Sequence, residues 1–161
     1  MRYLNAIVIT LSAALFLTLL PMPEWTVWAR PAWVLLVLIF WTMIAPHRVN
    51  VGIAWITGLM LDTLTGTMLG EHALALTIVV YFAYRLRMRM NMFPMLQQGL
   101  SIFLFVVIYQ IIIYVLQGFC GEAPHTSLFW LSSLTSMLLW PWLFGMLRDY
   151  CHRARISLAV N

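Results

Sequence analysis

The residues able to do chemistry in this chain are few, and the foremost is Asp62. It lies in the stretch Pro46 to Ala75, PHRVNVGIAWITGLMLDTLTGTMLGEHALA, the only long apolar segment with an acid in its middle. Val51 to Leu69 is long enough to cross a bilayer, because about 20 apolar residues span the hydrocarbon. Asp62 lies eleven residues past Val51, so a helix rising ~1.5 Å per residue places it about 16 Å deep, near the midplane. An ionisable group there costs at least ~2.5 kcal/mol and is expected to face protein or a wet cavity. Such an acid can couple protons or cations, pair with Arg48 or a histidine, or transmit a partner's state through a polar contact. The plainer reading, and the preferred one, is structural: an acid kept neutral by its apolar surroundings, or hydrogen-bonded to Thr65 or to a neighbouring helix's backbone, that fixes the packing.

Other constellations point away from catalysis. His47 and His152 are expected on one side of the membrane, His72 and His125 on the other. Zinc needs three or four converging ligands, so no metal is expected. Cys120 and Cys151 also fall on opposite sides, which excludes a disulfide between them. Ser132, Ser133 and Ser136 have no base at recognisable spacing, and are expected to hydrogen-bond between helices. Phosphate-loop and dinucleotide signatures are absent. The chain therefore reads as no enzyme and as needing no cofactor. Arg85, Arg87 and Arg89 form one basic cluster; Arg148, Arg153 and Arg155 form another. Alternate residues do not share a helix face, so Arg85 to Arg89 are expected to snorkel to phosphates from a helix end or a turn. Both clusters read as cytoplasmic anchors, with anionic lipid or cytoplasmic protein as further contacts.

The elements that must position these residues are membrane helices. Of 161 residues, 63% are hydrophobic and 9% charged, with a formal charge of +4. A soluble domain of this size cannot cover its surface with so little polarity. The fold class expected is an all-α integral membrane protein, one six-helix domain. Its spans fall at about 3–20, 27–45 (with Pro31 an alternative start for the second), 51–69, 72–90, 97–117 and 127–147, with a short cytoplasmic tail at 148–161. The first run is read as an uncleaved helix, since no A-x-A site follows it. Thr63 to Gly70 is rich in threonine and glycine, and the helix is expected to break before the membrane edge. Gly58, Asp62, Gly66 and Gly70 recur every four residues and are expected to share one slowly drifting face, a seam of small residues where a neighbouring backbone approaches closely.

With both termini in the cytoplasm, eight arginines fall inside and only Arg30 outside, as the positive-inside rule favours. Basic residues in short clusters between apolar runs suit membrane orientation, and no nucleic-acid partner is expected. Trp25, Trp28, Trp33 and Trp130 fall near the outer interface. Trp41, Trp55, Trp140 and Trp142 fall near the inner one, so all eight are expected in aromatic belts.

RPAWVLLVLIFW, APHRVNVG, GLMLDTLTGTMLGEHAL and, late in the chain, LLWPW closely resemble the rod shape-determining protein MreD family of Gram-negative bacteria. The resemblance covers nearly the whole chain and is strongest from Arg30 to Ala75. The family pattern matches at Pro46, Arg48, Asn50, Gly52, Gly58, Asp62, Gly66, Leu69 and Gly70. The resemblance implies a non-enzymatic inner-membrane protein of the cell-elongation machinery. It implies association with the bitopic protein MreC, and through it with MreB, RodA and RodA's transpeptidase partner, in lateral peptidoglycan synthesis. It also implies a fold similar to the substrate-binding subunits of energy-coupling-factor transporters. A small-molecule-binding transporter subunit is the alternative function, resting on the polar patch around Asp62.

Overall fold

The computed structural model describes residues 2–20, 30–120 and 130–153. Expectations for the loop with Glu24, Trp25 and Trp28, for the loop with Glu122 and His125, and for Arg155 concern residues outside that set. Six α-helices make up the described chain: α1 Arg2–Leu19, α2 Trp33–Ile44, α3 Val51–Thr65, α4 Glu71–Met92, α5 Met95–Cys120 and α6 Leu131–Arg153. Among the described residues, only Met95–Phe119 is by itself long and apolar enough to cross a membrane, and Leu4–Leu19, Trp33–Ile44 and Val51–Thr65 are shorter apolar helices.

Local chemistry sets the helix ends. Pro46 lacks an N–H and follows the end of α2. The chain then turns, with Arg48 N–H and Val49 N–H donating to the Ala45 carbonyl. Asn50 opens α3: it is extended, and its side-chain oxygen accepts from Gly52 N–H at 3.1 Å and Ile53 N–H at 3.4 Å. Such a cap satisfies amides that have no partner within the first turn. Pro94 holds Phe93 extended, as residues before proline prefer, and this ends α4. The Gln98 amide then donates to the Met90 and Phe93 carbonyls at 3.1 Å each, tying the α4–α5 corner.

The core is built around α2. Its twelve residues span about 18 Å, and Val34 through Ile44 are all buried, wrapped by α1, α4 and α6. The expected second span at 27–45 thus contributes a short central helix, shorter than the hydrocarbon thickness of about 30 Å. Trp41 is fully buried and donates from Nε1 to Thr10 Oγ1 of α1 at 2.8 Å. Trp140 is also fully buried, with its ring 5.7 Å from Phe144, which in turn meets Phe40 edge-on at 5.5 Å. These two tryptophans belong to the core and not to a belt, whereas Trp55, Trp130 and Trp142 are exposed.

Two further boundaries can be compared with expectation. The span expected over 51–69 is helical to Thr65, and the break expected within Thr63 to Gly70 falls at Gly66, which turns left-handed. The last helix, expected to end at 147, continues to Arg153 straight through Pro141. Its continuation is anchored by Leu147 and Cys151, both buried.

Candidate functional site

Asp62 stands in the last turn of α3, near the helix end rather than midway along a span. Its side chain is fully buried. The chain reverses over residues 66–70, with φ +70° at Gly66 and +104° at Gly70. Both values lie where side chains with a Cβ are disfavoured. The reversal brings the start of α4 back onto the Asp62 carboxylate. Oδ2 accepts the Gly70 N–H at 2.8 Å and the Ala73 N–H at 3.4 Å. Oδ1 accepts the His72 N–H at 2.9 Å, His72 Nδ1–H at 2.9 Å and the Thr67 hydroxyl at 3.3 Å.

Asp62 is therefore the N-cap of the next helix, supplied from the preceding one. Gly70, at the cap position of α4, has no side chain to do this. A negative group there meets unpaired amides and the positive end of the helix dipole. A carboxylate offers about four lone-pair directions, and the donors around Asp62 occupy them. That leaves little capacity to hold a travelling cation and makes the residue a pin across the α3–α4 turn. Its partners are a histidine and a neighbouring helix's backbone, two of the alternatives open in the sequence. Arg48 is exposed at the other end of α3, and the Thr65 hydroxyl donates to the Leu61 carbonyl at 2.8 Å.

Gly58 lies one turn before Asp62 on the same face and makes the pin reachable. A Cβ there would sit 2.2 Å from Ala73 Cα and 2.6 Å from Ala73 N. Only glycine lets the backbones of α3 and α4 approach this closely. The expected four-glycine seam does not extend further. Gly66 and Gly70 have nothing within 4 Å of a built Cβ, and they serve the reversal through their positive φ. Gly52 is exposed beside the Asn50 cap, Pro46 is buried in the turn after α2, and Leu69 is exposed.

The same end of the bundle holds a second polar set that the sequence reading did not assemble. Arg30 Nη2 donates to the Leu17 and Leu20 carbonyls at the end of α1. Ser132 Oγ donates to the Arg30 carbonyl, and Ala32 N–H donates to Ser136 Oγ at 3.2 Å. Those two serines do link elements, while Ser133 donates locally to the Trp130 carbonyl. Gln117 Nε2 on α5 donates to Glu71 Oε1 on α4 at 2.6 Å. Between these groups lies a cavity of about 360 Å³, lined among others by Arg30, His72, Tyr109, Gln110, Gln117 and Ser132. Arg30 and His72 lie 42 residues apart in the chain, and no periodicity connects them or links either to Gln110.

The basic anchors sit at the opposite end. Arg85 and Arg89 are exposed on the last two turns of α4, four residues apart on one face. Arg87 is half-buried, its guanidinium 5.3 Å from the Tyr84 ring centroid. They lie within the helix and not in a turn. Arg148 and Arg153 are exposed on the continuation of α6. Among the described residues, no three His, Cys, Asp or Glu side chains come together as a metal set.

The family model described as rod shape-determining protein MreD matches residues 1–150. The rod shape-determining protein MreD of Haemophilus influenzae is 31% identical over 147 residues, covering 89% of this chain and 88% of that protein. No solved structure matches the chain. A family match from the first residue to the last turns of α6, with a relative aligned over nearly its full length, makes this chain a member of the rod shape-determining protein MreD family.

Proposed function

We propose that this protein acts in rod cell shape as a non-enzymatic, multi-pass component of the bacterial inner membrane. It docks an MreC-like bitopic protein and so connects MreB, RodA and RodA's transpeptidase partner during lateral peptidoglycan synthesis. Family membership over residues 1–150 is the observation that carries this reading. The Asp62 pin supports it as well, since a saturated carboxylate suits a scaffold better than an ion path. Exposed leucine, isoleucine, phenylalanine and methionine on α1, α3 and α5 suit a lipid-facing or helix-docking surface. Arg48, Arg85, Arg87, Arg89, Arg148 and Arg153 gather at one end, which the positive-inside rule assigns to the cytoplasm together with both termini. That end offers contacts to anionic lipid or to MreB. A fold similar to energy-coupling-factor substrate subunits belongs to the same proposal. Between helices in lipid, close packing and polar contacts must set partner choice, which places weight on Gly58 and Asp62 as keepers of the docking shape.

The test is cross-linking in living cells, purification in mild detergent and identification of the proteins recovered. MreC-like and RodA-like proteins are expected. Recovery of an ATPase pair and a coupling subunit would replace this reading with transport. Gly58→Leu and Asp62→Leu are expected to lose the partners and the rod shape; unchanged recovery and normal rods in both variants would sink the scaffold role of the α3–α4 hairpin.

A further inference from the structure

We propose that the cavity between Arg30, His72 and α5 is a binding site for a phosphate-bearing anion. Four observations carry it. First, at about 360 Å³ the cavity falls within the size range of small-ligand sites, with room for a phosphate and a short substituent. Second, its wall combines groups from across the bundle: Thr18 of α1, Thr67 of the reversal, Tyr109 and Gln117 of α5, and Ser132 of α6. The Thr18, Thr67 and Ser132 hydroxyls donate within the protein, as does one Gln117 N–H to Glu71, which leaves the second Gln117 N–H and the Tyr109 hydroxyl as donors for a ligand. Third, the ionisable groups in the wall are Arg30, His72 and Tyr109, with no carboxylate among them. The nearby acids are engaged elsewhere, Asp62 by the start of α4 and Glu71 by Gln117. Arg30 is the one permanent charge in the wall, and it favours an anionic occupant.

Fourth, Arg30 is held in place but not used up. Its Nη2 is committed to the carbonyls ending α1, while its buried Nε–H has no acceptor among the described residues. A planar guanidinium fixed at one corner presents its remaining donors in a fork that fits phosphate oxygens. Among the described arginines it alone lies at this end of the bundle. An arginine with an unused buried N–H beside a polar cavity, far from the clusters that set orientation, is better explained by a ligand than by anchoring.

Two sources can supply this chemistry: the headgroup of an anionic phospholipid, or a soluble phosphate monoester. The inference does not rest on the role in cell shape, and its failure leaves that role untouched. The test uses the full chain purified in uncharged detergent and stripped of lipid. Thermal unfolding is followed while titrating glycerol 3-phosphate in one arm, and short-chain phosphatidylglycerol against diacylglycerol in the other. A ligand that binds only the folded state raises Tm with concentration. Each protein is compared with its own unliganded Tm, so that loss of the Arg30 tether to α1 does not confuse the readout. Stabilisation in either arm identifies the source. The apparent affinity is expected to fall at least about tenfold in Arg30→Gln and in Gln110→Glu, which places an acid in the wall, and to be unchanged in Arg148→Gln at the opposite end. If neither phosphate compound stabilises the protein, or if Arg30→Gln and Gln110→Glu respond like the parent chain, the inference is overturned.

Discussion

Replacing Asp62 by asparagine tests the central claim about this fold, because it preserves size while removing one acceptor and the charge. The Asp62 oxygens face backbone amides on both sides, Gly70 at 2.8 Å from Oδ2 and His72 at 2.9 Å from Oδ1. Whichever way the asparagine amide turns, its NH2 confronts a backbone N–H at hydrogen-bond distance. That amide is then buried without an acceptor, at a cost of about 1–3 kcal/mol. Loss of the negative charge from the α4 N-terminus adds about 0.3–1 kcal/mol. The sum, roughly 1.3–4 kcal/mol, corresponds to a fall in Tm of about 3–16 °C, at 2–4 °C per kcal/mol for a chain of this size. The assay is thermal unfolding in detergent followed by tryptophan fluorescence. Thr67→Ala serves as comparison: it removes a single, longer bond of 3.3 Å to the same carboxylate, expected to be worth about 1 kcal/mol or less. The ordering expected is parent, then Thr67→Ala, then Asp62→Asn. An Asp62→Asn protein melting within about 2 °C of the parent, or above Thr67→Ala, would refute the cap and return Asp62 to the list of candidate transport residues.

Gly58→Ala is expected to lower Tm, opposite in sign to an ordinary glycine-to-alanine change in a helix, which stabilises. The added methyl meets Ala73 backbone at 2.2 Å, and forcing the helices apart costs about 1–3 kcal/mol; a raised Tm would show that the contact yields. Gly66 and Gly70 are expected to separate on substitution by asparagine: φ +70° at Gly66 is accessible to asparagine, whereas φ +104° at Gly70 is not. Gly66→Asn should therefore melt near the parent and Gly70→Asn clearly below it. Cys151 lies past the expected end of the last span, is fully buried, and burial pushes its thiol above the ordinary value. Its protonated form is the unreactive one, so maleimide should label it slowly in the folded protein at neutral pH and rapidly after denaturation in SDS; equal rates would place Cys151 at the surface.

Helix number and order were legible because apolar run length and punctuation by Pro46, Asn50 and Pro94 are written locally. Asp62 was also legible, since an acid inside an apolar run is conspicuous whatever its role. What the acid does was not, because its partners arrive through a chain reversal that no helical period describes. The glycines illustrate the reason. Gly58 and Gly70 are the same letter at multiples of one spacing, yet one admits a neighbouring backbone and the other supplies a backbone angle. Only the turn at Gly66 separates the two uses. The tryptophans carry the same ambiguity: an indole suits an interface belt or a packed core with one polar partner, and Trp41 finds that partner in Thr10, distant in sequence. The cavity was least legible of all, being assembled from α1, α5, α6 and the segments before α2 and α4.

The short helix α2 has a consequence for how this chain tolerates change. A helix with one face outward accepts substitutions at every third or fourth position, and a variant survey of it pulses with the helical repeat. From Val34 to Ile44 every side chain is enclosed, so no outward phase exists. Saturation mutagenesis there should give an unbroken block of intolerance in which acceptable replacements are ranked by volume and shape instead of by polarity.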